Sequence, residues 1–123
     1  MMNPTKKIKK IVRKIVFYDL ETNGVKPFYK SAIMQIALKT LNNSLNESIY
    51  VYPYDNLVGA TEIHGISSQT LKDNKAIKAN DLINYLLNTF DNKSVEYYFL
   101  AYNNFAFDQN VLENHFKHFK LNI

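Results

Sequence analysis

Two carboxylates, Asp19 and Glu21, stand two residues apart directly after the apolar segment 15–18. That segment is β-branched and aromatic, which predicts a buried strand, and the two-residue period of a strand points both carboxylates to the same side of a sheet. Two negative charges held this close repel each other, and burial increases the cost. Because Mg²⁺ and Mn²⁺ prefer carboxylate oxygen, the pair is a candidate site for a divalent cation.

A third carboxylate, Asp108, follows a predicted strand over residues 95–102 and begins a predicted helix over residues 108–119. If that strand runs parallel to the first one, the carboxyl ends of both strands meet and the three carboxylates converge. Such a cluster suits phosphodiester hydrolysis, in which two metal ions about 4 Å apart activate a water and stabilise the leaving oxygen. Each residue alone has a simpler explanation, as a polar strand end or, for Asp108, as a helix N-cap.

The elements that must position these residues follow from hydrophobic periodicity and turn signals. We predict further strands over residues 31–40 and 47–52, a helical turn near residues 61–64 and an amphipathic helix over residues 76–90. Short connections between the first three strands favour an antiparallel meander, and a connection through a helix favours a parallel fourth strand. The predicted fold class is mixed α/β: three strands, a helix, a strand and a helix.

Composition bounds the domain organisation and the partners. The 123 residues suit one domain, predicted over residues 15–123 after a basic, flexible tail at residues 1–14. The net charge of +4 favours phosphate-bearing partners, but six of the 15 basic residues lie in that tail, so a solvated tail explains the charge as well. No cysteine is present, which excludes disulfides and thiolate metal sites. Without an apolar run of roughly 20 residues we expect no membrane partner and an intracellular protein, cytoplasmic or nuclear (nucleoid).

Four segments, in order along the chain, carry a family resemblance. Residues 16–24 read VFYDLETNG, residues 33–37 IMQIA, residues 63–67 IHGIS and residues 101–108 AYNNFAFD. The first resembles the first exonuclease motif of the DnaQ-like, or DEDD, 3′–5′ exonucleases. The last resembles the second motif of that family, and the two middle segments resemble its second strand and its short His-Gly-Ile stretch.

The resemblance implies a ribonuclease H-like mixed sheet and a hydrolase that releases nucleoside monophosphates from the 3′ end of DNA or RNA. It implies that Asp19, Glu21 and Asp108 are catalytic residues and ligands of Mg²⁺ or Mn²⁺, with two ions in an intact site. The residues that it places beside the substrate are Thr22, Gly24, His64, Asn103 and Asn104, where either asparagine can take the position of the single asparagine of the family.

The family has a third motif, which supplies a His or Tyr as general base and a fourth Asp. No such motif follows Asp108 in these 123 residues, so we expect a domain that is incomplete at its C-terminal end. Three explanations stay open: a fragment, completion by a partner such as a polymerase or a second copy, and an inactive relative. The alternative function is therefore a nuclease-dead module that binds nucleic acid or a polymerase.

Overall fold

A computed structural model describes residues 12–101 and 105–119 of the chain. Along these residues the elements follow in the order β1 (Val12–Thr22), a 3₁₀ turn (Phe28–Lys30), β2 (Ile33–Thr40), β3 (Asn46–Tyr50), α1 (Thr61–His64), α2 (Ser68–Asp73), α3 (Ala79–Thr89), β4 (Val95–Ala101) and α4 (Phe105–His118).

The four strands form one mixed sheet in the order β3-β2-β1-β4. β1 pairs antiparallel with β2, and β2 pairs antiparallel with β3, so the predicted meander is confirmed. β4 returns through the helices and pairs parallel with β1, as the crossover rule predicted. The mixed α/β class is confirmed with it, and the carboxyl ends of β1 and β4 lie at the same edge of the sheet.

The core lies on one face of this sheet. In β1, burial alternates from residue to residue: Val16, Tyr18 and Leu20 are buried, while the residues between them are half-exposed. The buried set packs with apolar residues of α3 and α4, which cover that face, among them Leu82, Ile83, Leu86, Val111 and Phe116. The opposite face of β1, which carries Asp19 and Glu21, is left more open.

Several boundaries differ from the predictions. β1 begins at Val12 rather than Ile15, because residues 12–14 already pair with β4. The helix predicted from residue 76 begins at Ala79, since the backbone of Ile77 bonds with Tyr50 and Tyr52 as an isolated bridge beside Val51. β3 ends at Tyr50 rather than at residue 52 as predicted, because Val51 belongs to this bridge.

The sequence reading missed the helix α2 altogether. Its start is fixed by a capping box, in which the Ser67 hydroxyl accepts from the Thr70 amide and the Thr70 hydroxyl accepts from the Ser67 amide. A serine followed three residues later by a polar side chain is a readable start signal for a helix. We also find that no helix within residues 12–101 and 105–119 has the length and apolar character needed to cross a membrane.

Candidate active site

Asp19 and Glu21 lie near the carboxyl end of β1, on its more open face. Strand geometry puts them on the same side, and their neighbours across β2 are Ala37 and Gln35. Both carboxylates are half-buried, while Leu20 between them points into the core. The pair therefore presents two negative charges from one strand at the edge where β4 also ends.

Asp108 reaches the same region from the first turn of α4. Within the described residues, the last pair between β4 and β1 is Tyr18 with Ala101, so the amide of Leu20 lies beyond the last described pair. That amide points toward the β4 side, since the Val12 amide bonds with Ser94 and the strand repeats every two residues. The carboxylate of Asp108 accepts a hydrogen bond from the Leu20 amide.

The electrostatics of Asp108 are unfavourable to its charge. The residue is only 3% exposed, and its Oδ2 atom has no hydrogen-bond partner among the described residues. Burial raises the pKa of Asp108 to about 6, the hydrogen bond from Leu20 opposes that rise, and the negative charges of Asp19 and Glu21 add to it. At neutral pH the buried group is mostly ionised, and no neutralising partner for it lies within residues 12–101 and 105–119.

The donor set at this edge suits a hard divalent cation. It offers carboxylate oxygens alone, it includes one buried oxygen with a vacant hydrogen-bonding position, and its members repel one another. However, nowhere in residues 12–101 and 105–119 do three acidic or histidine side chains stand close enough together to hold an ion. The structure brings the three carboxylates within electrostatic range of each other, without bringing them to coordination distance.

Thr22 and Gly24 form the turn that follows the acidic pair. Thr22 is buried, and its Oγ1 atom accepts a hydrogen bond of 3.3 Å from the Gly24 amide. Gly24 has a φ of +69°, in the left-handed region where a side chain is disfavoured, so the glycine of the motif has a conformational reason. These two residues shape the backbone beside Glu21.

His64 comes from α1 and contacts this turn directly. Its Nδ1 atom accepts from the Ile66 amide at 3.0 Å, so the proton sits on Nε2, which donates to the Thr22 carbonyl at 2.9 Å. Both ring nitrogens are thus used by the backbone. The structure places His64 beside the acidic strand as a contact of the backbone. Because both ring nitrogens are used there, a substrate could contact the carbon atoms and the face of the ring.

Asn23 lies in the turn that follows the acidic pair, and sequence reasoning assigned it no role separate from that of its neighbour Thr22. It is buried, and its amide group bonds with the carboxylate of Asp55 and with the backbone of the segments 25–32 and 55–57. Gly59 was missed: a Cβ atom there would lie 2.5 Å from the Asn23 carbonyl oxygen. Its partner lies 36 positions away along the chain, so no local pattern signals this close approach.

Two other predicted residues and one further histidine complete the description. Asn103 and Asn104, predicted substrate contacts, lie outside the described residues. His115 of α4 is fully buried: its Nδ1 donates to the Val111 carbonyl at 2.8 Å, and its Nε2 accepts from the Ile33 amide at 3.1 Å. Burial lowers the pKa of His115 to about 4, so it is a neutral residue of the core.

Comparison with known proteins gives the chain its family. The family model of the RNase T exonucleases matches residues 16–123. The fold is similar to that of exonuclease I of E. coli bound to a dT13 oligonucleotide, with a TM-score of 0.68 and 23% identity over 85% of this chain and 24% of that one. It is also similar to a moderately thermophilic exonuclease I from Methylocaldum szegediense, with a TM-score of 0.67 and 20% identity over 84% of this chain and 23% of that one.

A further solved structure, a complex of exonuclease I with the SSB C-terminus, matches with a TM-score of 0.72 and 21% identity over 90% of this chain and 25% of that one. No curated protein matches the sequence. The chain thus spans about a quarter of the length of these solved exonucleases. Because the family model covers most of the chain and the fold agrees with it, this protein belongs to the RNase T exonuclease family, a DnaQ-like group of the ribonuclease H-like superfamily.

Proposed function

We propose that this chain carries a divalent-metal-dependent 3′–5′ exonuclease site, in which Asp19, Glu21 and Asp108 hold Mg²⁺ or Mn²⁺. The observation that carries the proposal is the state of Asp108, a buried acid with an unpartnered oxygen, repelled by the other two carboxylates. Perturbed acids of this kind cluster at functional sites. Membership of an exonuclease family supplies the reaction class.

In this proposal the three carboxylates bind the divalent ions and orient them. Asp108 contributes the buried oxygen, and Asp19 and Glu21 contribute half-buried groups on the open face of β1. A divalent ion, when bound, supplies the positive charge that neutralises them and polarises a phosphate. We propose that the intact site holds two ions. To bind either ion, the carboxylates must approach each other more closely than they do in this structure.

We propose that neither His64 nor His115 is the proton acceptor for the attacking water. His64 and His115 both use their two ring nitrogens for backbone hydrogen bonds. We propose Thr22, Gly24 and His64 as contacts of the terminal nucleotide, with Asn103 and Asn104 from the second motif. We propose nucleic acid with a free 3′ end as the partner, and the solved exonuclease I that holds an oligonucleotide supports nucleic acid as the partner class.

A digestion assay tests the activity. The wild-type chain and Asp19→Asn are incubated with 5′-labelled single-stranded DNA and with its RNA counterpart, in Mg²⁺ or Mn²⁺. We expect a ladder that shortens from the 3′ end, and its rate should fall more than about 100-fold in the variant, since even partners outside the ligand shell cost 10- to 100-fold. Glu47→Gln, which removes an exposed carboxylate of β3, is the matched control and should digest like the wild type.

Thermal unfolding tests the metal site separately from catalysis. At about 100 times its Kd, Mn²⁺ should stabilise the wild type by roughly 2.7 kcal/mol. The Tm should rise by several degrees in the wild type and in Glu47→Gln, and Asp19→Asn should lose the effect. Metal stabilisation without digestion would support the alternative function, a nuclease-dead module that binds nucleic acid. If millimolar Mn²⁺ leaves the Tm of the wild type unchanged, the proposal of a metal site is wrong.

A further inference from the structure

The side chain of Asn23 joins three segments of the chain at one buried point. It is 4% exposed. Its Nδ2 atom donates to both oxygens of Asp55, at 2.9 and 3.0 Å, and to the carbonyl of Leu57 at 2.8 Å. Its Oδ1 atom accepts from the amides of Val25 at 3.2 Å and Ala32 at 3.0 Å. The amide group of Asn23 therefore ties the end of β1 to the start of β2 and to the loop at residues 55–57.

The loop continues as a strap, residues 55–64, that lies against the turn after the acidic pair. At Gly59 the backbone approaches so closely that a Cβ atom would stand 2.5 Å from the Asn23 carbonyl oxygen. Ala60 packs beside Gly24, where a Cβ atom would lie 3.4 Å from the Ala60 Cβ atom. The strap ends at His64, whose ring donates to the Thr22 carbonyl at 2.9 Å. Three successive residues of the turn are thus held by one segment.

The ladder between β1 and β2 is irregular at this end of β1, although the Asn23 amide still donates to the Ala32 carbonyl at 3.0 Å. The register between β1 and β2 shifts between Glu21 and Thr22, and a bulge at that point interrupts the regular ladder. On the other side, the last pair with β4 within the described residues is Tyr18 with Ala101. Glu21 therefore sits next to the irregularity in the β1–β2 ladder, and its position depends in part on what holds the turn that follows it.

We propose that Asn23 and Asp55 are positioning residues of the active site: their amide–carboxylate contact fastens the strap, and the strap fixes the direction in which Glu21 meets the metal. The inference rests on the proposed metal-dependent function. The Asn23 Nδ2 atom lies within hydrogen-bond distance of both Asp55 oxygens, which suits a contact that must hold the turn against the repulsion among the nearby carboxylates. Catalytic sites need their groups held within about 0.5 Å, so a loosened turn weakens binding at a distance.

The test replaces Asp55, because it is partly exposed and its loss leaves the core intact. Asp55→Ala leaves the Asn23 Nδ2 atom with the Leu57 carbonyl as its acceptor, whereas Asp55→Asn retains an oxygen for both the Asn23 Nδ2 atom and the Leu57 amide. Mn²⁺ affinity is measured by calorimetry, and folding is checked by circular dichroism. We expect Asp55→Ala to weaken Mn²⁺ binding about tenfold, in the range of other partners outside the ligand shell. Asp55→Asn should stay within about threefold of the wild type.

A purely structural role gives a different result. Then Asp55→Ala lowers the Tm but binds Mn²⁺ as tightly as the wild type, and the inference is overturned while the metal site stands. If Asp55→Ala does not fold, Asp55→Ser serves the same purpose, since a serine hydroxyl can keep the turn contact with the Leu57 amide while the carboxylate that Asn23 donates to is gone. Unchanged Mn²⁺ affinity in Asp55→Ser would then overturn the inference. The wild type distinguishes the two proposals, because both fail if it binds no Mn²⁺. Asp19→Asn, which lacks a proposed ligand, gives the affinity expected when the metal site is lost.

Discussion

Asp108 and His115 are both buried on α4, about two turns apart, and their surroundings treat them in opposite ways. The two ring nitrogens of His115 have backbone partners, and burial lowers its pKa to about 4, so it stays uncharged. Asp108 keeps one oxygen without a partner among the described residues, and its pKa of about 6 leaves it mostly ionised at neutral pH. The histidine is satisfied by the fold, and the acid is not.

The difference is the one expected between a group that supports the fold and a group that binds a ligand. A buried polar group that only supports the fold is normally satisfied within the protein, because an unpaired one costs free energy. A group kept unsatisfied, among charges of its own sign, lowers the stability of the empty protein and gains a partner only when a ligand arrives. The contrast on α4 therefore supports a cation-binding role for Asp108 and none for His115.

The largest effect on stability should come from breaking the satisfied member of this pair. His115→Ala leaves the Ile33 amide without its acceptor and opens a cavity, which together cost about 3 kcal/mol of unfolding free energy. Urea denaturation at pH 7 measures the loss. Lys117→Ala, an exposed substitution on the same helix, should change stability by less than about 0.5 kcal/mol. A loss in His115→Ala no larger than that of the control would show that the ring is not part of the core.

The pH dependence of stability should sharpen the comparison, because the two groups act in opposite directions. Below pH 6.5 an unfolded His115 takes up a proton that the folded one refuses until about pH 4, so its contribution to stability falls as the pH falls. The folded Asp108 keeps its proton up to about pH 6, against 3.8 when unfolded, so its contribution falls as the pH rises through that range.

Asp108→Asn should remove the contribution of Asp108 to the pH dependence of stability, so that the contribution of His115 is no longer opposed. Between pH 4.5 and pH 6, its unfolding free energy should rise more steeply with pH than that of the wild type, by up to about 1 kcal/mol per pH unit. Urea unfolding in EDTA at pH 4.5, 5.2 and 6 measures the two slopes. Other acids titrate in this range, but both proteins share them. Parallel profiles would show that the folded chain does not perturb Asp108.

The smallest effect concerns Asp108 at neutral pH, and its sign matters more than its size. In metal-free buffer, Asp108→Asn should raise the unfolding free energy by about 1 kcal/mol, since it removes a repelled charge that solvent screens only in part. In saturating Mn²⁺ the order should reverse, because only the wild type gains the binding energy. A variant that is less stable than the wild type under both conditions would assign Asp108 to the fold alone.

The sequence alone predicted the parts of this protein that depend on local pattern. Short β-branched and aromatic runs bounded by turn residues predicted the strands. The helical period of residues 76–90 predicted α3, which begins three residues later than predicted. The missed α2 helix had a readable capping signal at Ser67 and Thr70. The acidic pair, Gly24 and the second motif placed the candidate site at the carboxyl end of β1, because these features depend on neighbours along the chain and on the family resemblance.

Tertiary structure decided how that site is held together. Asn23 meets Asp55 32 positions later, Gly59 lies against the backbone of Asn23, and the ring of His64 is committed to Thr22. The same residue types on a surface loop would give the same local pattern. The sequence could therefore not distinguish a long-range contact between Asn23 and Asp55 from an ordinary polar turn. Asp108 and His115 make the same point, since each pKa follows from burial and from charges that only the folded chain brings near. Local pattern determines which groups reach the site, and long-range packing determines their charge and freedom to move.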